Sequence, residues 1–207
     1  MELKFDLTNV NNLPPELQPT AAVRQAFAGQ MLFQQGDAAD SFFVVKRGRV
    51  KLARYIDEDR VTTLRVARAG EGFGAVGLIL DAYPYAAIAE VPSQVIRYPK
   101  AALVTALPAY PDLAETLLTM LIQAIRSFEI RLELRDIRAS HQRVLRYLRY
   151  QIQGDDEGVI TLDRPLKDIA ADLGFTPETL SRALTRLEQE GLISRQDRQI
   201  TLHPAAA

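Results

Sequence analysis

Residues 174–182, which read Gly-Phe-Thr-Pro-Glu-Thr-Leu-Ser-Arg, decide the fold of the carboxyl-terminal part of the chain. A short segment with helical apolar spacing, 166–173, precedes them, and Gly174 permits a tight turn where that segment ends. Thr176 is a good N-cap for a second helix, because its hydroxyl can accept a hydrogen bond from a backbone amide, and Pro177 suits the first helical position. The stretch therefore predicts two helices joined by a tight turn.

The second predicted helix has one apolar face and one polar face. Its apolar residues recur at the i, i+3, i+4, i+7 spacing of a core face, namely Leu180, Ala183, Leu184 and Leu187. In a helix-turn-helix, the first residues of the second helix reach base edges in the major groove. Arg182 can donate two hydrogen bonds to guanine, Glu178 can accept one from cytosine, and Ser181 can bond near a thymine. The candidate contacts to bases and phosphates are Thr176, Glu178, Thr179, Ser181, Arg182, Arg186, Arg195 and Arg198.

The segment that follows this helix predicts a β-hairpin. Residues 192–202 read as strand, polar turn and strand, which would form a wing whose Arg195 and Arg198 touch the DNA backbone. The alternative is a plain helical hairpin in which Glu178 and Arg182 form a surface ion pair at i, i+4. The glycine turn, the Thr-Pro cap, the polar face and the following hairpin occur together here, and their combination favours DNA binding.

Charge in this part of the chain is nearly balanced. From Ser140 to Ala207 there are nine basic and ten acidic residues, so no strong sequence-independent field attracts phosphates. The basic side chains must therefore be well placed, and dimerisation must double the contacts. We expect weak non-specific binding and a clear dependence on salt.

Residues 111–138 predict one long amphipathic helix. Tyr110-Pro111-Asp112 is a good helix start, and the stretch from there to about Arg138 contains no glycine or further proline. Such a helix would be roughly 40 Å long, which is long for a small domain. We interpret this helix as the seam, that is, the contact between two copies of the chain. The alternative is that the helix packs on the barrel of its own chain. The residues assigned to the seam are Leu117, Leu121, Ala124 and Phe128.

The amino-terminal part predicts a β-rich domain. Residues from about 20 to 100 read as short strands, with alternating apolar and basic residues after Gly48, which marks a hairpin turn. Strands at this spacing suggest a barrel, a roll or a sandwich. The prediction is an α+β protein with a sensing domain at 1–110, a dimerisation helix at 111–138 and a DNA-binding domain at 139–207.

Composition excludes several classes of protein. The 207 residues carry a net charge of −1, with no cysteine and only two histidines, His141 and His203. Disulfides, thiol nucleophiles, iron–sulfur clusters and multi-histidine metal sites are therefore excluded, and we expect no metal site. A cupin-like enzyme needs clustered histidines on its strands, and the β-rich part has none, so we expect no enzyme. The sequence shows no transmembrane stretch and no signal peptide, which predicts a cytoplasmic protein without a membrane partner.

With these motifs in place, the sequence resembles the superfamily of the cyclic-AMP receptor protein and the fumarate–nitrate regulator (CRP/FNR) from about residue 20 to 203. The matching segments are 32–37 (Leu-Phe-Gln-Gln-Gly-Asp), 48–52 (Gly-Arg-Val-Lys-Leu), 70–74 (Gly-Glu-Gly-Phe-Gly) and 175–182. The resemblance implies an N-terminal β-roll (a double-stranded β-helix like a cyclic-nucleotide-binding domain), a long dimerisation helix and a C-terminal winged helix-turn-helix. It also implies a homodimer on double-stranded DNA with a two-fold symmetric site, and contact with RNA polymerase. Segment 175–182 is similar to the fumarate–nitrate branch, which reads TTGA half-sites, and Pro177 stands where the cyclic-AMP branch has an arginine.

The resemblance breaks at the effector site. Members that bind cyclic nucleotides have a glutamate where this chain has Ala75, and they hold the phosphate with an arginine some residues later. Here no lysine or arginine lies between Ala69 and Ile96. Because a buried phosphate without a partner costs several kcal/mol, we do not expect binding of cyclic AMP, and a cyclic-AMP-responsive regulator is kept only as an alternative. The absence of cysteine also excludes the iron–sulfur oxygen sensing of the fumarate–nitrate branch.

Two hypotheses remain for the effector domain. Segments 90–98 and 141–148 look like the denitrification-regulator (DNR-like) subgroup, whose members have been linked to haem and nitric oxide. No histidine precedes His141, so axial haem ligands would have to come from Tyr83, Tyr85 or Met31. The other hypothesis treats these side chains as core and pocket residues, in a pocket that holds an uncharged ligand or is collapsed. The candidate pocket residues are Phe73, Gly74, Ala75, Val76, Tyr83 and Tyr85.

Overall fold

The computed structural model describes residues 4–57, 60–152, 158–162 and 165–203. The chain divides into two compact units, Met1–Ile125 and Arg126–Ala207. The point of division lies within the helix predicted over 111–138.

The amino-terminal unit contains two four-stranded antiparallel sheets, as predicted for a β-roll. The strands are β1 (Ala22–Ala26), β2 (Met31–Phe33), β3 (Ser41–Arg47), β4 (Arg49–Asp57), β5 (Arg60–Arg68), β6 (Gly72–Phe73), β7 (Ala86–Ala89) and β8 (Ser93–Pro99). One sheet has the order β1-β8-β3-β6 and the other the order β2-β7-β4-β5. Short 3₁₀ turns cover Val10–Asn12, Gln18–Thr20 and Ala75–Leu78.

Gly48 does not form the predicted hairpin. Strand β3 pairs with β8 and β6, whereas β4 pairs with β5 and β7, so the chain passes from one sheet to the other at Gly48. Its φ of +86° lies in the left-handed region, and a Cβ atom there would collide with Ser93 and the Pro92 carbonyl. The hairpin prediction was wrong because alternation identifies strands without identifying which strands pair.

Two apolar clusters stabilise this unit. One surrounds Phe42, Ile96 and Tyr98 and includes residues from α1 (Lys100–Ala109) and α2 (Pro111–Asp136). The other lies around Phe43 and Phe73. Helix α2 confirms the long helix predicted over 111–138, whereas α1 was not predicted. None of the described helices is both long and apolar enough to cross a membrane.

The carboxyl-terminal unit combines three further helices with a small sheet. Its elements are α3 (Ser140–Gln151), β9 (Val159–Thr161), α4 (Leu166–Asp172), α5 (Pro177–Gln189), β10 (Ile193–Gln196) and β11 (Gln199–Leu202). The antiparallel sheet has the order β10-β11-β9. The core joins Val144 and Leu148 of α3 to the apolar face of α5. These elements confirm the predicted winged helix-turn-helix.

Candidate nucleic-acid interface

The turn between α4 and α5 has the geometry that the sequence predicts. Gly174 adopts a φ of +71°, which favours glycine. The Thr176 hydroxyl accepts a hydrogen bond from the Thr179 backbone amide at 3.2 Å, so Thr176 is the N-cap of α5, and Pro177 is the first helical residue. The start of α5 is thus fixed by local chemistry, independently of any bound molecule.

Helix α5 presents one face to the core and one to solvent. All four predicted core residues, Leu180, Ala183, Leu184 and Leu187, are buried. On the other side Glu178, Ser181, Arg182 and Arg186 are exposed, as is Thr176 at the cap, while Thr179 is half-buried. The helix therefore holds its polar side chains on a rigid, solvent-facing surface.

Glu178 and Arg182 do not form the ion pair of the alternative hypothesis. No salt bridge joins them within the described residues, although the charge of Arg182 acts on Glu178. The pKa of the Glu178 carboxyl is lowered, mainly because its own backbone amide and the Thr176 side chain hydrogen-bond to it. The Glu178 carboxylate is therefore ionised and can accept hydrogen bonds at the helix start, and Arg182 lies one turn later on the same exposed face.

Two of the predicted DNA-contacting arginines are already paired with glutamates. Arg186 Nε lies 2.8 Å from Glu190 Oε1 on the same helix. Arg195 Nη2 on β10 lies 2.6 Å from Glu188 Oε2, and the Arg195 side chain is half-buried. Sequence reasoning missed both glutamates, although the i, i+4 spacing of Arg186 and Glu190 was a readable signal.

The predicted wing is a tight hairpin. Gln196 pairs with Gln199, and Asp197 at the turn adopts a φ of +54°. Arg198, next to it, is exposed at the tip. The wing therefore offers one exposed guanidinium at Arg198 and one held against α5 at Arg195.

The candidate effector pocket is filled with aromatic side chains. Phe73 and Tyr83 are 1% and 2% exposed, which makes them core residues. The Tyr83 ring stacks on Phe33 with 3.8 Å between centroids, and Phe73 stacks on Phe43 at 5.1 Å. Gly74, buried and with a φ of +77°, precedes the short turn that carries Ala75 and Val76, both half-buried.

Tyr83 does not fit the role of an axial haem ligand. Its hydroxyl donates to the Ser41 carbonyl at 2.6 Å and accepts from the Ser41 amide at 3.1 Å. Burial raises the pKa of Tyr83 to about 12, so the phenolate that would bind iron is disfavoured. The Tyr85 hydroxyl accepts from the Gly74 amide at 3.3 Å, and Met31 is a partly exposed residue of β2. In the part of the chain that the structure describes, no cluster of three or more His, Asp or Glu side chains could hold a metal ion.

A buried arginine lies beside this region, and the sequence did not reveal it. Arg65 on β5 is nine-tenths buried, with Nη1 at 3.0 Å from the Glu71 carboxylate and Nη2 bonded to the Gly72 carbonyl. The stretch from Ala69 to Ile96 contains no basic residue, but Arg65 supplies a positive charge from outside it. Because Glu71 already neutralises that charge, Arg65 is not an open phosphate site.

The exposed face of α2 differs from the predicted seam. Leu117, assigned to the seam, is buried in the core of its own unit, and Leu121 is packed against the same cluster. Leu117 was misassigned because helical spacing alone does not show which of two apolar stripes faces the sheets. Ala124 is half-buried and Phe128 is exposed. Apolar side chains that are 42–63% exposed occupy the neighbouring stripe, which comprises Leu118, Ile122, Ile125, Phe128 and Leu132.

Comparison with known proteins finds a matching domain family in each of the two units. The cyclic nucleotide-binding domain family matches residues 23–110, and the Crp-like helix-turn-helix domain family matches residues 142–207. The transcriptional activator protein Anr of Pseudomonas aeruginosa is 27% identical over 83% of this chain and 72% of its own length. A crystal structure from Ruegeria pomeroyi, of a protein classed with the cyclic-nucleotide-binding proteins, is 30% identical over 89% of this chain and 82% of its own, with a TM-score of 0.58. FixK2 from Bradyrhizobium japonicum, at 23% identity, shares the fold over 89% of this chain and 93% of its own, with a TM-score of 0.68.

The two domain families lie in the order that the fold shows, with the sensing domain first and the DNA-binding domain last. Together they span most of the chain, and relatives such as Anr match across both. This chain therefore belongs to the CRP/FNR family of DNA-binding transcription regulators, which are not enzymes.

Proposed function

We propose that this chain acts as a homodimer that reads a two-fold symmetric DNA site with TTGA-type half-sites, and that it does so without a cyclic nucleotide. The observation that carries the proposal is the placement of Glu178 and Arg182. Both are exposed on one face of α5, one helical turn apart, at the end fixed by the Thr176 cap.

These two side chains match the two bases of one G·C pair. Arg182 can donate to guanine N7 and O6, while Glu178, whose lowered pKa keeps it ionised, can accept from the N4 amino group of the paired cytosine. A TTGA half-site contains one such pair. Ser181, exposed between them, is small enough to lie near a thymine methyl group.

Phosphate contacts would come from the helix start and the wing. The Thr176 and Thr179 hydroxyls lie 3.1 Å apart at the amino-terminal end of α5, where free backbone amides favour an anion. Arg198 extends from the wing tip. These groups would set the register of α5 on the DNA without reading sequence.

The exposed stripe of α2 supports a dimer between two copies of the chain. Leu118, Ile122, Ile125 and Leu132 are separated by four, three and seven residues, which is the heptad spacing of a coiled-coil seam. A second copy of α2 is the occupant that such a stripe fits, because each helix would supply the same seam. Two recognition helices related by a two-fold axis then meet half-sites about 34 Å apart.

Three features of the β-roll support independence from cyclic nucleotides. Ala75 replaces the glutamate of the nucleotide-binding members, Arg65 is already bonded to Glu71, and Phe73 and Tyr83 fill the interior. Family membership further supports contact with RNA polymerase and a cytoplasmic location.

Fluorescence anisotropy with a labelled TTGA–N6–TCAA duplex at fixed salt tests the proposal. The protein is measured as purified, with cyclic AMP added, and against a scrambled duplex. We expect selective binding without an additive and no change when cyclic AMP is present. Selective binding only with cyclic AMP would contradict the interpretation of Ala75 and Arg65, and equal binding to both duplexes would contradict the half-site.

A further inference from the structure

Arg143 on α3 makes an unusual set of contacts within the carboxyl-terminal unit. Its Nε donates to the Ile137 carbonyl at 2.9 Å, Nη1 to the Leu173 carbonyl at 3.1 Å, and Nη2 to the Arg135 carbonyl at 3.3 Å. Its guanidinium carbon also lies 4.8 Å from the centre of the Phe175 ring. One half-buried side chain thus contacts three backbone carbonyls and one aromatic ring.

The three carbonyls belong to the ends of two different helices. Arg135 is in the last turn of α2, Ile137 follows its end, and Leu173 is the C-cap of α4. Carbonyls at a helix carboxyl end have no partner within the helix and carry partial negative charge, so a cation stabilises them. The planar guanidinium has five N–H donors in a fixed fork, and it can therefore serve both ends at once.

The ring contact extends this link toward α5. Phe175 comes directly before the Thr176 cap and after Gly174, so it lies in the turn of the helix-turn-helix. A cation that lies over the face of an aromatic ring is attracted to the ring, and the strength of the attraction depends on where the cation lies. The position of the turn, and with it the start of α5, is therefore coupled to the end of α2 through one side chain.

We propose that Arg143 is the positioning residue that fixes the start of the recognition helix relative to the carboxyl end of α2. The proposal rests on the proposed function, because it assigns Arg143 the task of holding α5 in the orientation that reads DNA. Arg143 need not contact DNA to have this role. Any regulatory change in α2 that displaced Ile137 would have to break or move this link.

A neighbouring arginine provides a matched control. Arg146, one turn later on α3, pairs with Glu133 of α2 at 2.8 Å and lies 5.1 Å from the Tyr150 ring. It therefore also joins α3 to α2, carries the same charge and is exposed, but it makes no described contact with the turn at 173–176. Loss of Arg146 should leave the turn unchanged.

Hydrogen exchange of the full-length chain tests the link without DNA. In the wild type the Phe175 amide bonds to the Ala170 carbonyl at 2.8 Å and the Ile137 amide bonds to the Leu134 carbonyl at 3.3 Å. We expect R143Q and R143K to speed exchange at both amides by at least about tenfold, because hydrogen bonds to a charged group are lost at both ends. R146Q should leave the Phe175 amide within about twofold of the wild type.

A binding measurement tests the consequence for recognition. We expect R143K, which keeps the charge, to weaken binding to the TTGA–N6–TCAA duplex at least about tenfold and to leave binding to the scrambled duplex within about twofold. R146Q should bind both as the wild type does. If R143Q fails to fold, both hydrogen exchange and duplex binding are measured on R143K alone, since lysine keeps the charge and most of the aliphatic stem.

The outcomes separate this proposal from the proposed function. Faster exchange at only one of the two amides, or the same exchange in R143K and R146Q, would overturn the link. Equal weakening of R143K on both duplexes would also overturn it, because a positioning residue affects the selective complex. If the wild type itself does not select the TTGA duplex, the half-site is wrong. Hydrogen exchange at the Phe175 and Ile137 amides still shows whether Arg143 links the turn to the end of α2.

Discussion

The carboxylate of Glu188 holds the guanidinium of Arg195, with 2.6 Å between Oε2 and Nη2 and a second contact from Nε at 3.2 Å. Arg195 Nη2 also lies 3.3 Å from the Thr185 hydroxyl, so a wing residue is bound along the side of α5. The same contacts lower the pKa of Glu188, chiefly through the hydrogen bond from Arg195. DNA phosphates must therefore compete with a carboxylate of the same chain for this cation.

Replacing Glu188 by glutamine should therefore strengthen sequence-independent DNA binding. The change releases Arg195 for a phosphate, and one added phosphate contact steepens the dependence of log K on log salt by about one. The measurement is anisotropy on a scrambled duplex over a series of salt concentrations. Glu115→Gln is the control, because it removes one exposed negative charge from the amino-terminal unit. Equal slopes for Glu188→Gln and Glu115→Gln would show that Arg195 does not reach DNA.

Replacing Arg182 by alanine should relax sequence selectivity. Loss of a bidentate contact to guanine costs about 1–3 kcal/mol per half-site, and it should remove discrimination at the G·C pair of TTGA. Duplexes with each base pair substituted in turn measure this effect. Arg149→Ala, an exposed arginine of α3, is the matched control for charge. An equal loss of affinity on every duplex would instead assign Arg182 to a phosphate.

The parts of the fold that the sequence predicted well depend on local chemistry. The Thr176 cap, the Gly174 turn and the buried face of α5 all follow from residues within one short stretch, 174–187. The long helix was predicted for the same reason, since an uninterrupted apolar period and a proline start suffice.

The parts that were missed depend on how the chain turns and how separate elements pack. Gly48 lies between two sheets because β3 pairs with β8, some fifty residues later, and no local pattern shows this. Arg65 contacts Glu71 and Gly72, only six and seven residues later, because the chain turns between β5 and β6, and the residue spacing alone does not show that contact. Leu117 and Leu118 are adjacent in an amphipathic helix, and only packing against the sheet core shows which of them is buried.

The two stripes of α2 should respond differently to substitution. Ile122→Arg places a charge in the exposed heptad stripe and should convert the proposed dimer to a monomer, which sedimentation velocity measures. Ile79→Arg is the control, because Ile79 is an exposed apolar residue outside α2. A dimer that survives Ile122→Arg would place the seam elsewhere.

Leu117→Ala tests the other stripe of α2. Leu117 is buried in the core of the amino-terminal unit, so its truncation should lower the free energy of unfolding by about 2–5 kcal/mol. Denaturant unfolding at several protein concentrations measures this loss and separates it from dissociation. If Leu117→Ala and the wild type have the same free energy of unfolding, Leu117 belongs to the contact between two copies of the chain and not to the core.

The buried hydroxyl of Tyr83 should make the amino-terminal unit sensitive to alkali. Burial raises the pKa of Tyr83 to about 12, against 10 for an exposed tyrosine, so the folded protein keeps a proton that the unfolded chain loses in that range. Stability from this group is complete below about pH 10 and falls as the pH rises to about 12. Urea unfolding of the wild type and of Tyr83→Phe, at pH 8 and at several values above pH 10, measures this difference.

Tyr83→Phe should be less stable than the wild type at pH 8, by about 1–3 kcal/mol, because the Ser41 carbonyl and amide lose their shared partner. The gap between the two proteins should then narrow above pH 10, since phenylalanine does not titrate. Tyr55→Phe, at an exposed position of β4, is the matched control and should be as stable as the wild type at pH 8. A constant gap between Tyr83→Phe and the wild type across this range would mean that Tyr83 ionises as easily in the folded unit as in the unfolded chain, which the burial of Tyr83 opposes.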